Sequence, residues 1–172
     1  FKKIDEDNYE IGIHIADVSY YVTPGTLLDK EAYNRATSIY LVDRVIPMLP
    51  EKLSNKVCSL RPNEEKLTFS VSIITDKKGN IKENWFGRTI INSNYRFSYH
   101  EAQEIIETKK NKISKENSLT GKQYKVEDEV VEAILTMDNI AKEARKKRES
   151  KGSIKFNKKE VYFKLDENKN PT

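Results

Sequence analysis

The chain has 172 residues, 37% of them hydrophobic and 34% charged, with a net charge of +4 at pH 7. No apolar run approaches the ~20 residues that a membrane-spanning helix needs, so no membrane role is expected, and the single cysteine, Cys58, cannot close an internal disulfide. The length suits one domain with a modest core, a reducing cytoplasmic setting fits the lone thiol, and the mild positive charge permits a polyanionic partner without demanding one.

Asp5-Glu6-Asp7-Asn8 reads as a polar turn. From Tyr9 to Ile15 the chain alternates Tyr9, Ile11, Ile13 and Ile15 against Glu10, Gly12 and His14, which predicts a strand with one buried face. His14, opposite the isoleucines, is expected to be a hydrogen-bonded structural group and not a base. Asp17 stands at the strand's end. Three roles are open to it: capping a short turn or helix over 18–22, orienting a neighbouring arginine, or binding metal. The cap or orienting role is preferred, because Asp readily accepts from the free N–H groups of a helix start.

Of the adjacent Tyr20 and Tyr21, at least one is expected in the core. Pro24-Gly25-Thr26 marks a turn, and Leu28 to Ser38 reads as a helix with Asp29 and Glu31 in its first turn, where negative charge suits the dipole. Tyr40 follows. Such a tyrosine either packs in a core or, beside a nucleic-acid channel, stacks on a base of any identity. Arg44 has two roles open, a phosphate contact or a surface ion pair with Asp43. Pro47 and Pro50 restrict the chain around Met48-Leu49 to a stiff, extended loop, and Leu53 starts a short helical piece. Cys58 is expected to be a small, buried apolar group, with no partner spaced for a zinc site.

Lys66 to Asp76 alternates Leu67, Phe69, Val71 and Ile73 against Thr68, Ser70 and Ser72, a half-buried strand. Lys77-Lys78-Gly79-Asn80 turns it back into a second strand over 81–91. Ser98, with Glu101 three residues later, carries the signature of a capping box for a helix running to about Glu107. Residues 108–123 read as a polar, Lys-rich flexible loop. A long helix over 126–150 is expected to bury Val130, Ile134, Met137, Ala141 and Ala144, with Gly152 stopping it. Strands are expected from Ser153 to Phe156 and from Val161 to Leu165. The fold class is therefore α+β, a mainly antiparallel sheet with packed helices. Two Lys-rich stretches, 109–125 and 142–159, are either phosphate contacts or solvated faces.

The runs His14-Ile15-Ala16-Asp17-Val18-Ser19-Tyr20-Tyr21-Val22, Arg35 through Tyr40, Arg44 through Asn55, Cys58-Ser59-Leu60 and Gly152 through Phe156 resemble the catalytic (RNB) domain of the ribonuclease II and ribonuclease R family, nearer its ribonuclease R branch. The resemblance implies a processive, metal-dependent 3′-to-5′ exoribonuclease that uses magnesium or manganese on single-stranded RNA and releases nucleoside 5′-monophosphates. No obligate oligomer is implied. By the same resemblance Tyr40 and Phe156 sandwich the terminal bases and Tyr99 contacts the RNA backbone or sugar; the residues themselves leave open a core Phe156 and a Tyr99 packed at the helix start. Asp17 and Arg44 are expected as supporting residues. The family's Asp-rich metal motif lies upstream of the first matched strand, and its further Arg and Glu elements lie downstream. The 172 residues are thus expected to be a truncated portion of that domain, with no catalytic residue, metal ligand or bound ion of their own and no activity alone. The alternative is a non-catalytic RNA-binding module of the same fold. A hydrolase built on Asp17, Asp29 and Asp43 is disfavoured, because the expected helix and turns scatter them.

Overall fold

The computed structural model describes residues 1–154 together with Asp166 and Glu167. The strands are β1 (Lys2–Lys3), β2 (Asn8–Ala16), β3 (Ile39–Tyr40), β4 (Val45–Ile46), β5 (Glu65–Asp76), β6 (Ile81–Asn92), β7 (Lys112–Ile113) and β8 (Tyr124–Lys125). The helices are α1 (Val18–Tyr21), α2 (Leu27–Arg35), α3 (Tyr99–Thr108) and α4 (Asp128–Ser150), with a π-helical turn over Lys52–Val57. Four strands form a sheet in the order β1-β2-β5-β6, and β3-β4 and β7-β8 form two-stranded ribbons. The pairs β1-β2, β3-β4 and β7-β8 are antiparallel. The architecture is the expected mixture of helix and antiparallel sheet. No helix of the described residues is long and apolar enough to cross a membrane. Phe156 and the strand expected over Val161 to Leu165 lie outside the described residues.

The chain forms two compact units. The first takes Phe1–His14, Ser70–Gly87 and the described chain from Ser93 to Ile154. Its core is Ile105, Ile113, Val126 and Val131, with Tyr95, Phe97, Tyr124, Ile134 and Leu135 packed against it. The rings of Tyr95 and Phe97 stack at 5.6 Å. Gly79 takes φ +71° in the turn from β5 to β6, a left-handed backbone that glycine adopts without a Cβ clash. The Asp76 side chain ties that turn by accepting from the N–H groups of Lys78 and Asn80 at 2.9 Å.

At α3 the capping box forms as its spacing predicts: Ser98 Oγ accepts from the Glu101 N–H at 3.1 Å, and Glu101 Oε2 accepts from the Ser98 N–H at 2.7 Å. The segment that follows is not a flexible loop. Glu101 Oε1 also accepts from the Leu119 N–H at 3.0 Å and the Tyr124 hydroxyl at 2.9 Å. Glu104 accepts from the Ser114 hydroxyl at 3.0 Å and Asn117 Nδ2 at 2.9 Å. Two carboxylates on successive turns of one helix thus staple a polar stretch, and Ile113 is sealed in the core. The buried stripe of α4 is also displaced from the expected one. Val131 and Ile140 are its buried residues and Ala141 is exposed; Val131 joins the Ile105 and Ile113 cluster, and of the expected stripe Ile134 packs against it.

The second unit takes Ile15–Phe69 and Arg88–Asn92. Thr26 caps α2 by accepting from the Asp29 N–H at 3.2 Å. The helix ends at Arg35, short of Ser38, because Ala36 takes φ +60° and turns the chain out. β5 departs from expectation in its faces. Thr68 is 0% exposed and Phe69 45% exposed, so the deeply buried side here is polar. The Thr68 hydroxyl meets the Thr89 hydroxyl at 2.6 Å, which satisfies the group that burial strips of water. In β2 the expected apolar face is covered only at its start: Tyr9 is buried and Ile11 half-buried, whereas Ile13 in the first unit and Ile15 in the second are exposed.

Candidate functional site

Asp17 follows β2 directly, and its N–H donates to the Leu67 carbonyl at 3.0 Å. The residue is only 4% exposed. Its Oδ1 accepts from the Ser19 hydroxyl at 2.6 Å and from the Tyr20 N–H at 3.2 Å, which caps α1. Its Oδ2 accepts from Arg88 Nε at 2.9 Å. Asp17 therefore caps and orients at once. The arginine it orients lies 71 positions on, and no sequence signal named it. The Arg88 side chain remains 65% exposed, so its outer guanidinium edge faces water while Nε is held.

With its oxygens already shared by three donors, Asp17 is a poor ligand for a divalent ion. Among the described residues there is also no group of three His, Cys, Asp or Glu side chains able to hold one. The donor set of the described residues does not fit a metal centre. Asp29 accepts from the Gly25 N–H at 2.8 Å, and Asp43 pairs with Arg44. The three aspartates serve separate local roles.

Tyr40 sits on the β3-β4 ribbon, opposite Val45, with Ile39 opposite Ile46. The ribbon is closed by the Leu41 N–H to the Arg44 carbonyl at 2.8 Å. Its base is tied to what surrounds it: Ser38 Oγ accepts from the Met48 N–H at 2.9 Å, and Arg35 Nη1 donates to the Pro47 carbonyl at 3.3 Å. Proline restriction of the chain near Met48 stiffens the same base. Tyr40 is 78% exposed, so its ring is presented and not packed. Ile39, Leu41, Val42, Val45 and Ile46 are exposed with it, an apolar ribbon held out on a fixed stem.

Arg44 pairs with Asp43 through Nε at 2.9 Å and Nη2 at 2.8 Å, and hydrogen bonding to that carboxylate pushes the guanidinium further up. A groove of about 660 Å³, lined by Val18, Val22, Ala32, Tyr33, Met48 and Leu49, lies in the same unit. Cys58 is half-buried. Burial pushes its thiol up, partly offset by Lys66, so it is not poised as a nucleophile.

Tyr99 belongs to the other unit. It occupies the first position of α3, directly after the Ser98 cap, and is 95% exposed. His14 donates to or accepts from the Ser70 hydroxyl at 2.6 Å, a structural partnership within the first unit. Phe156 lies outside the described residues.

The family described as RNB domain matches residues 1–172. DIS3-like exonuclease 2 of Schizosaccharomyces pombe is 42% identical over 167 residues, covering 96% of this chain and 18% of that protein. Ribonuclease R 2 of Lactococcus lactis is 40% identical over 172 residues, covering 99% of this chain and 24% of that protein. The solved structure of Mycoplasma genitalium RNase R in complex with double-stranded RNA matches with a TM-score of 0.84 at 29% identity, over 99% of this chain and 28% of that one. The chain thus spans less than a quarter of the length of these two curated relatives.

Proposed function

Because the chain belongs to the RNB domain family, we propose that it forms a wall of the RNA channel in a processive 3′-to-5′ exoribonuclease that releases nucleoside 5′-monophosphates. The observation that carries this reading is the exposed Tyr40 ring on a ribbon tied at its base. A processive enzyme needs a grip on the strand that ignores base identity and still lets the strand advance. An aromatic face provides such a grip, because every base presents a π-face to it, and the stem keeps the ring from following the departing strand. RNA as ligand is also supported by the match to a ribonuclease solved with RNA. A ring that stacks on a single base suits a single strand.

In this proposal Phe156 supplies the opposing ring. Arg88, held at Nε by Asp17, turns its outer edge to a phosphate, and Arg44 at the ribbon's tip does the same when RNA displaces Asp43. Tyr99 contacts the backbone or sugar, where a 2′-hydroxyl distinguishes RNA from DNA. Magnesium or manganese would be held by residues other than the described ones. A cytoplasmic setting is in keeping with the lone thiol.

The test is Tyr40→Ala in the full-length protein. The length of the end product is expected to change more than the rate of hydrolysis falls. Unchanged products remove Tyr40 from the grip. RNA binding with no turnover by the full-length wild type, at any divalent ion supplied, selects the non-catalytic RNA-binding module instead.

A further inference from the structure

The stapled ribbon of residues 109–125 carries a one-sided charge in the first unit. It holds six lysines, Lys109, Lys110, Lys112, Lys115, Lys122 and Lys125, against one acid, Glu116. All six are exposed, and none is in an ion pair among the described residues. On α4 the setting is different: Lys142 and Lys146 pair at 2.6 Å with Asp138 and Glu143, while Arg145, Lys147 and Arg148, in no ion pair among the described residues, stand in the closing turns, where the helix dipole favours positive charge.

Two placements in the ribbon cost stability and are filled by lysine all the same. Lys112 and Lys125 are direct cross-strand partners in the β7-β8 register, where like charges repel. Lys109 takes φ +55° at the end of α3, a position that favours glycine. Three carboxylates outside the ribbon bond to it, and each is engaged by other donors: Glu101 by Leu119 and Tyr124, Glu104 by Ser114 and Asn117, with Lys112 acting on it from beyond ion-pair distance, and Asp128 by Asn111 Nδ2 at 2.8 Å. Self-repulsion that nothing within the ribbon relieves is relieved by an external polyanion.

We propose that the 109–125 ribbon is a docking surface for the phosphate backbone of single-stranded RNA, separate in its contacts from the aromatic grip. The Glu101 and Glu104 staples preset its shape, so less ordering is lost when the strand binds. Contacts of this kind carry no base preference and act by releasing counterions. The inference rests on RNA being the ligand of the protein, as proposed above.

The experiment is the salt dependence of binding of full-length protein to a homopolymeric single-stranded RNA, with EDTA present to stop turnover. Each lost single-strand phosphate contact lowers the slope of log affinity against log salt by about 0.7, so Lys112→Gln/Lys125→Gln is expected to lower it by about 1.4. The affinity that wild type loses between roughly 50 and 200 mM salt then shrinks about sevenfold in the variant, since fourfold salt to the power 1.4 is about seven. Lys112→Arg/Lys125→Arg is expected to keep the wild-type slope. Should the Gln pair melt early, Lys115→Gln/Lys122→Gln reads the same decrease from the exposed connection. A wild-type slope in folded Gln variants overturns the ribbon and leaves the channel proposal standing. No RNA binding by wild type overturns both.

Discussion

Tyr40 and Asp17 show how the same kind of local anchoring yields opposite exposures. Asp17 is buried because a strand end, a helix start and an arginine all converge on its two oxygens. Tyr40 is exposed because the hydrogen bonds that fix its ribbon are made by the residues around it. Tyr40→Ala should therefore leave thermal stability unchanged while weakening single-stranded RNA by about 1–3 kcal/mol, roughly one stacked base, in a titration of the full-length protein. Asp17→Ala removes a helix cap and is expected to cost about 1–2 kcal/mol in urea unfolding. The coupling between Asp17 and Arg88 in a double-mutant cycle should stay below about 1 kcal/mol, since the arginine is largely in water. A coupling of several kcal/mol would mean that the pair is sealed from solvent.

At the scale of elements, α3 and the ribbon it staples form one cooperative piece. Burial pushes the Glu101 carboxyl up, but the N–H groups of Ser98 and Leu119 and the Tyr124 hydroxyl outweigh it and hold the group below its ordinary value. Glu104 is lowered too, first by Asn117 and then by Ser114. A carboxylate lowered in the folded state contributes stability that is present above its unfolded pKa of 4.5 and is lost as pH falls through the lower folded value. The ribbon should thus loosen on acidification below pH 4.5, seen as faster hydrogen exchange at the Leu119 and Ser114 amides. Glu101→Gln should remove the acid dependence at the Leu119 amide, leave that of Ser114 on Glu104, and cost about 1.5–3 kcal/mol at neutral pH, the range for hydrogen bonds to a charged group. Protection that is flat down to the acid limit would deny the staple. Burial, with Glu101 adding to it, pushes the Tyr124 hydroxyl up to about 12, so it remains a donor across the working range.

For the whole molecule, each unit leaves large apolar strand residues open: Ile13, Trp85 and Phe86 in the first, Ile15, Phe69 and Ile90 in the second. If the metal is held by residues outside this stretch, as the family resemblance implies, the 172-residue chain by itself shows no exonuclease turnover with magnesium or manganese. Steady release of mononucleotides by the purified chain would place the chemistry within it.

Short-range features were legible in residue order. The Ser98-Glu101 box, the Gly79 turn and the alternation of β5 and β6 each depend on residues within a few positions, where backbone geometry alone decides the partner. The runs around Asp17 and Tyr40 also carry the family resemblance in residue order alone. What the tertiary structure alone decided were the partners far along the chain: Arg88 for Asp17, Leu119 and Tyr124 for Glu101, Thr89 for Thr68. It also decided which face of β5 and which stripe of α4 is buried. Periodicity reports that two faces differ, but which one is sealed depends on what packs against it, and that neighbour arrives from a remote part of the chain.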